Sequence, residues 1–164
     1  MHRNPMQTVQ DLYDAFGHRD IPKVFSLLSP EVEIVQSEEL PWGGLYRGHD
    51  GARQFFSKLG SHLNSTLDVE RLISAADHVV AVGWTQGTVN ATGASYRVPI
   101  AHVWKIRDGL VIQTQFFIDN PMMLGALGRE PGLIWGCAIL KARLFRWTHK
   151  CSATIRYTIG LLHD

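Results

Sequence analysis

Residues Tyr96–Asp119 read YRVPIAHVWKIRDGLVIQTQFFID, and this stretch decides the fold. Two runs of alternating apolar residues flank Asp108-Gly109, a pair that readily takes the positive φ angles of a two-residue hairpin turn. We therefore predict two antiparallel β-strands joined at this turn.

One face of the predicted hairpin mixes large apolar side chains with polar ones, because successive strand residues point to opposite faces. The residues on that face are Ile100, His102, Trp104 and Ile106 on the first strand and Gln113, Gln115, Phe117 and Asp119 on the second. Polar groups on an inward face must be paired or line a cavity. Counting back from a two-residue turn places His102 opposite Gln115. Asp119 then lies opposite Val98, too far from His102 to touch it, so we expect the two to flank a ligand.

The composition fits one domain with a substantial core, since 45% of the 164 residues are apolar and 19% are charged. Residues 1–128 carry 10 Lys and Arg against 13 Asp and Glu, a net charge of −3, and residues 129–164 carry 6 against 2, a net charge of +4. Residues 1–128 have no basic stripe, which argues against nucleic-acid binding. The N-terminus lacks a signal-peptide pattern, and no stretch approaches the roughly 18 apolar residues of a membrane span. We expect a cytoplasmic protein.

Helical patterns precede the strands. Apolar residues at the spacing i, i+3, i+4 and i+7 predict a first helix over Gln7–Phe16, with Tyr13 and Phe16 facing inward. Asp20 is expected to cap a second helix, with Pro22 in its first turn, that ends near residue 28.

A loop rich in glycine and proline follows the first predicted strand and carries Trp42 and Tyr46. These aromatic residues form a lid over a cavity mouth or simply cover the sheet. A third helix, capped by His49 or Asp50, should end near residue 60 and carry Phe56 on its apolar stripe.

Alternation predicts further strands over 32–36, 67–73 and 80–88. The last of these places on one face Val80, Val82 and Trp84. After the hairpin, Asn120 is expected to cap a short helix with Pro121 at its first position. Helices gathered before a mostly antiparallel meander indicate an α+β fold with the sheet curled around the first helices.

Three segments carry a resemblance to a known family. They are LYDAF in the first helix, LPWGGLYRGHDGARQFF leading into the third, and VPIAHVWKIRDGLVIQTQFFID closing the sheet. From Met6 to about Gly128 the chain resembles the SnoaL-like branch of the NTF2-like superfamily, the conical α+β barrels that include ketosteroid isomerases, polyketide cyclases and limonene-epoxide hydrolase. The resemblance implies an NTF2-like cone over residues 1–128, with a curved, mostly antiparallel sheet wrapped around the N-terminal helices.

The resemblance also implies a catalytic set. Tyr13 matches the position of an oxyanion-holding tyrosine in the steroid isomerases, and His102 matches the position of their protonated aspartate. Asp119 matches a strand-end aspartate that resembles the acid/base residue of the SnoaL-type cyclases. The region of the isomerases' aspartate base reads EIVQS here, over Glu33–Ser37, so the cyclases are the better comparison. Asp119 would move the proton, and His102 and Tyr13 would stabilise an oxyanion.

Each of these residues also has a purely structural interpretation. Asp119 would cap the following helix, His102 would be a core histidine bonded to Gln115, and Tyr13 would be a core residue with one polar handle. The residues expected to contact substrate are Phe16, Trp42, Tyr46, Phe56, Trp84, Trp104, Gln115 and Phe117.

The expected function is that of a small enzyme acting on an apolar molecule in a conical pocket by proton transfer, as an isomerase, cyclase or hydrolase. The alternatives are a non-catalytic module that binds an apolar ligand and a protein-interaction scaffold of the same fold. No metal-ligand spacing and no phosphate or dinucleotide motif is present, so we predict no metal and no cofactor.

Residues 129–164 form an apolar and basic C-terminal extension beyond the resemblance. An amphipathic helix over Leu133–Trp147 would pack on the barrel or on a partner subunit, and we expect a homodimer. The alternative is a helix that lies on a membrane surface. Cys137 and Cys151 both lie in this extension, and the sequence leaves open whether they pair.

Overall fold

The computed structural model describes residues 4–128. Its elements are α1 (Pro5–Gly17), α2 (Ile21–Ser26), β1 (Leu28–Gln36), β2 (Gly44–Arg47), α3 (Gly48–His62), β3 (Leu63–Ala75), β4 (His78–Val89), β5 (Ser95–Arg107), β6 (Leu110–Ile118) and α4 (Asn120–Ala126). The predicted order of elements is confirmed, with β2 as an addition inside the glycine-rich loop. The predictions for the C-terminal extension lie outside the described residues.

The strands form one six-stranded sheet in the order β2-β1-β6-β5-β4-β3. Neighbouring strands run antiparallel except β1 and β6, which are parallel. Val9 and Leu12 of α1 and Phe55 of α3 are buried in the same core as Ile34 and Trp104 of the sheet. This is the expected α+β architecture, with helices packed against one face of a curved sheet. No helix within residues 4–128 is long and apolar enough to cross a membrane.

The β5–β6 turn has the predicted two-residue form. Arg107 pairs with Leu110, and the two turn residues have positive φ angles, 52° at Asp108 and 76° at Gly109. This confirms the hairpin on which the sequence argument depends.

The predicted pairing beyond the turn is wrong by one residue. The register shifts next to Lys105, so that Ile112 is an extra residue on β6 and His102 lies opposite Phe116. A β-bulge exchanges the two faces of a strand from that point onward. Gln115 and Phe117 therefore lie on the outer face, where both are exposed.

The predicted face of β4 is also inverted. The buried residues are Val79, Ala81 and Thr85, whereas Trp84 lies on the outer face. There its indole Nε1 donates to Glu70 Oε1 at 2.8 Å. Valines occupy both faces of this strand, so alternation carries no information about which face is buried.

Two features bend the sheet around the helices. The β3–β4 register shifts between Val69 and Arg71, and Gly83 lies beside this bulge. A Cβ atom at Gly83 would overlap the backbone carbonyl of Asp68 on the adjacent strand. Close approach of this kind allows only glycine, and a bulge increases local twist, so the two together curl the sheet into a cone.

The helix starts follow the prediction at α2 but not at α3. The Asp20 side chain accepts from Lys23 N at 3.0 Å, as expected for an N-cap. At α3 the N-cap is Arg47, without a side-chain hydrogen bond, and neither His49 nor Asp50 caps the helix. Gly48, with a φ of 66°, turns the chain directly from β2 into the helix, so the start lies earlier than predicted.

Candidate functional site

A cavity of about 550 Å³ lies between the inward face of the sheet and the helices α1 and α3. Its wall is rich in aromatic side chains, which are Tyr13, Phe16, Trp42, Phe55, Phe56, Trp104 and Phe116. Its rim is more polar and includes Asp14, Arg19 and Asn64. A mostly apolar concave site of this size is suited to a small organic molecule.

Three polar groups meet inside this wall. His102 and Trp104 lie two residues apart on β5 and therefore share its inward face, and α1 brings Tyr13 against them. The Tyr13 hydroxyl lies 2.8 Å from His102 Nδ1, and Trp104 Nε1 donates to the same hydroxyl at 3.1 Å. We call these three residues the internal chain.

Burial fixes the charge state of the internal chain. His102 is 6% exposed, and its burial lowers its pKa to about 3, so the imidazole is neutral at pH 7. Burial also raises the pKa of Tyr13, outweighing the opposite effect of the hydrogen bond from Trp104. The chain is therefore neutral throughout.

The direction of the hydrogen bonds follows from the donor inventory. An indole N–H can only donate, so Trp104 donates to the Tyr13 oxygen. Among residues 4–128 the Tyr13 proton has no other hydrogen-bond acceptor, so we assign it to His102 Nδ1, and this assignment places the imidazole hydrogen on Nε2. Nε2 has no hydrogen-bond partner among residues 4–128, and it is not among their fully buried polar atoms without partners. The internal chain thus ends in an N–H donor that is open to the cavity.

The structure does not bring Asp119 to the internal chain. Asp119 is the N-cap of α4, and its Oδ1 accepts from Met122 N at 2.9 Å. It is not among the residues that line the cavity. The predicted N-cap, Asn120, is wrong by one residue, because its side chain instead donates to Ser37 Oγ and Glu39 Oε2. The helix-capping interpretation of Asp119 is the one that the geometry supports.

The predicted contact residues divide into two groups. Those that line the cavity are Phe16, Trp42, Phe56 and Trp104. Those that do not are Tyr46, Trp84, Gln115 and Phe117. The bulge in β6 accounts for the last two, and it also excludes the predicted bond between His102 and Gln115.

The two loop aromatics have fixed positions. Trp42 is 1% exposed and forms part of the cavity wall. The Tyr46 hydroxyl donates to Trp42 O at 2.8 Å and accepts from Lys58 Nζ at 3.2 Å. Tyr46 therefore fixes the position of the loop without lining the cavity. Trp42 is part of the cavity wall and is not a lid over its mouth.

Sequence reasoning missed Gln36, Phe55, Thr85 and Phe116, which also line the cavity. Gln36 ends the alternating run of β1, and Phe55 lies on the predicted apolar stripe of α3. In both cases the periodicity of the sequence indicates an inward-facing side chain. Phe116 was assigned to the outer face because the bulge was not foreseen. Within residues 4–128, no three His, Cys, Asp or Glu side chains are grouped as metal ligands. The homodimer and the absence of metal and cofactor stay predictions.

Comparisons with known proteins agree with this architecture. A family model described as the SnoaL-like domain matches residues 9–114. A comparison with curated proteins gives no match. An NTF2-like protein from Burkholderia thailandensis E264 is 31% identical, with a TM-score of 0.72, over 76% of this chain and 98% of that one.

Two further structures extend the likeness. An NTF2-like protein of unknown function from Burkholderia pseudomallei K96243 is 28% identical, with a TM-score of 0.72 and coverage of 76% of this chain and 98% of that one. TerC, co-crystallised with polyporic acid, is 24% identical, with a TM-score of 0.70 and the same two coverages, and this likeness shows the fold alone. Taken together, the family match over residues 9–114 and the 31% identical relative show that the chain belongs to the SnoaL-like family of the NTF2-like superfamily.

Proposed function

We propose that the protein binds a mainly apolar small molecule with a carbonyl or enol oxygen and catalyses its isomerisation or cyclisation. His102 Nε2–H donates to that oxygen, and Tyr13 holds the imidazole in the required tautomer. The observation that carries this proposal is the internal chain, which ends inside an aromatic cavity in a donor that has no partner among residues 4–128.

The chemistry that this donor supplies is stabilisation of negative charge on oxygen. A hydrogen bond is electrostatically stronger in a water-poor site, and a preorganised donor needs no rearrangement as charge develops. The low pKa of His102 keeps the imidazole neutral at pH 7, so the group that it offers is a neutral N–H donor and not a cation. Loss of one such donor lowers kcat by about 10²–10³ in acyl-transfer enzymes, which sets the size of the expected effect.

The geometry supports proton transfer by Asp119 less than it supports oxyanion stabilisation by His102, because the Asp119 carboxylate caps α4. Among the described lining residues, the acidic one is Asp14, which is exposed on the rim. The supported reactions are therefore those in which the substrate or solvent supplies and accepts the proton while the protein stabilises the enolate.

The same observation favours a second candidate, a non-catalytic binding module. A site whose described interior wall carries no carboxylate can hold a ligand oxygen without changing the ligand. The co-crystal of TerC with polyporic acid supports a small-molecule site in this fold, and it is equally consistent with both candidates.

The test begins with native mass spectrometry of the purified protein to detect a co-purifying molecule. Thermal-shift screening against small steroids, terpene epoxides and polyketide-like aromatic ketones then selects the ligand class. Turnover of each stabilising compound is followed by liquid chromatography with mass spectrometry. The variants are His102→Leu and Tyr13→Phe, with Tyr46→Phe as the matched control because it removes a hydroxyl outside the cavity.

The two candidates give different results. An enzyme loses turnover by about 10²–10³ in His102→Leu while ligand affinity falls only severalfold. A binding module shows no turnover in any variant, but His102→Leu still weakens binding. Failure of all three compound classes to bind, or unchanged binding and turnover in His102→Leu, would overturn the proposal.

A further inference from the structure

We propose that Gln36 is a second polar anchor of the ligand, opposite His102, and that the ligand is a flat ring system with oxygen groups at both ends. This inference rests on the proposed function and adds the substrate class. It comes from the row of side chains that three neighbouring strands place across the cavity wall.

Gln36, Phe116 and His102 form one row on the inward face of the sheet. Gln36 of β1 is paired with Phe116 of β6, and Phe116 is paired with His102 of β5. Paired residues lie side by side on the same face, and adjacent strands are about 4.8 Å apart. The Cα atoms of Gln36 and His102 are therefore roughly 10 Å apart with the Phe116 ring between them.

The Gln36 amide lacks a partner within the protein that the structure describes. Gln36 is 6% exposed and lines the cavity, and neither amide atom has a hydrogen bond to any of residues 4–128. Nor are its amide atoms among the fully buried polar atoms without partners, so they face open cavity space. An amide that faces open cavity space can bond a ligand oxygen directly, and one neutral hydrogen bond of this kind raises affinity by about three- to tenfold.

The inward-facing neighbours of Gln36 are apolar. The preceding inward residues of β1 are Val32 and Ile34, both buried and apolar. Two positions along the strands from this row, the paired residues Ile118 and Ile100 also line the wall. An amide at this position is therefore a polar exception on an apolar strand face, at the same level as the open donor of His102.

The spacing restricts the ligand. Both polar side chains project from the wall into the same space, and the ring of Phe116 lies 4.6 Å from the His102 ring, centroid to centroid. A molecule that reaches both must cross the aromatic surface between them, which favours a flat ring over a flexible chain. Because an amide both donates and accepts, Gln36 suits a hydroxyl or a carbonyl oxygen at the far end.

The test uses two probes that differ by one hydroxyl, 2-naphthol and 2,6-dihydroxynaphthalene. Binding to the wild type, Gln36→Leu and His102→Leu is measured by isothermal titration calorimetry. We expect the wild type to prefer the diol by about three- to tenfold, the effect of one neutral hydrogen bond. Gln36→Leu should abolish this preference and leave the affinity for 2-naphthol within about twofold, because leucine nearly matches glutamine in size.

A second measurement on the wild type does not depend on a variant's stability. The side-chain NH₂ signals of Gln36, assigned by their absence in Gln36→Leu, should shift in ¹⁵N-resolved spectra with the diol and shift less with 2-naphthol. A persistent diol preference in Gln36→Leu, equal weakening of both probes, or unmoved NH₂ signals would overturn the anchor.

The two proposals fail separately. Binding of 2-naphthol that depends on His102, without any preference for the diol, overturns the Gln36 anchor and leaves the proposed function standing. Failure of the wild type to bind either probe overturns the Gln36 anchor, and the screen of the three compound classes then decides the proposed function by itself.

Discussion

Two tryptophans on neighbouring strands use the same indole N–H in opposite environments. Trp104 on β5 is 2% exposed and donates to the neutral Tyr13 hydroxyl inside the cone. Trp84 on β4 lies on the outer face, donates to the Glu70 carboxylate and has the Arg97 guanidinium 3.9 Å above its ring. The difference teaches that the cone separates a neutral, mainly aromatic interior from a charged exterior whose interactions water and salt screen.

The largest expected effect is a pH dependence that belongs to the interior alone. The unfolded chain binds a proton at His102 below about pH 6.5, whereas burial holds the folded pKa at about 3. The unfolded state therefore binds more protons between these values, and stability falls as pH falls. Relative to His102→Leu, the wild type should lose about 2.3 kcal/mol between pH 6.5 and 4.5, because the slope rises from half of 1.36 kcal/mol per pH unit at pH 6.5 to nearly the full value below pH 5.5.

Urea unfolding of both proteins across this range measures the difference. The other titrating groups are common to the two chains, so they cancel to first order. Parallel stability curves would show that His102 takes up its proton in the folded state as readily as in the unfolded one, and the neutral interior would be disproved.

A second experiment compares the two indoles directly. Trp104→Phe removes buried volume and leaves the Tyr13 oxygen without its donor, so we expect a loss of about 2 kcal/mol. Trp84→Phe keeps an aromatic ring beneath Arg97 and removes one bond to an exposed carboxylate, so we expect about 0.5 kcal/mol. Denaturant unfolding in low and high salt checks both values.

Salt should separate the two variants further. The loss in Trp84→Phe should shrink at high salt because Glu70 and Arg97 are charged, whereas the loss in Trp104→Phe should not change. Equal losses with equal salt dependence would contradict the contrast between interior and exterior.

The difference between the inner and outer faces of the sheet also explains which strand faces the sequence could predict. The inward face of β5 was predictable because the Asp108-Gly109 turn sets the register and polar residues alternate with large apolar ones. The faces of β4 and β6 were not, because β4 has apolar residues on both sides and the extra residue Ile112 in β6 carries no local signal.

The candidate site was predictable to the same extent. The periodic patterns predict that Tyr13 and His102 face inward, and both line the cavity. Their mutual contact depends on how α1 crosses the sheet, which is a tertiary property. The residues around Asp119 fit an acid/base residue and a helix cap equally well, and only the position of α4 decides between the two interpretations. Gln36 ends a short alternating run, where a strand boundary is least certain.

The smallest expected effect concerns the direction of the internal chain. Tyr13→Phe removes the hydroxyl that joins Trp104 to His102 and should cost about 1 kcal/mol. Its more specific consequence is in the imidazole. In the wild type, Tyr13 donates to Nδ1 and holds the hydrogen on Nε2, so without the hydroxyl the two neutral tautomers of His102 should both be populated.

The ¹⁵N chemical shifts of the His102 ring distinguish protonated from unprotonated nitrogen and report this change directly. Tyr46→Phe, which also deletes a hydrogen-bonded hydroxyl but outside the cavity, should leave these shifts unchanged. A wild-type spectrum with the hydrogen on Nδ1 would show that His102 donates to Tyr13, the reverse of the direction assigned above. Nε2 would then accept rather than donate, and the cavity would be suited to a ligand hydroxyl in place of an oxyanion.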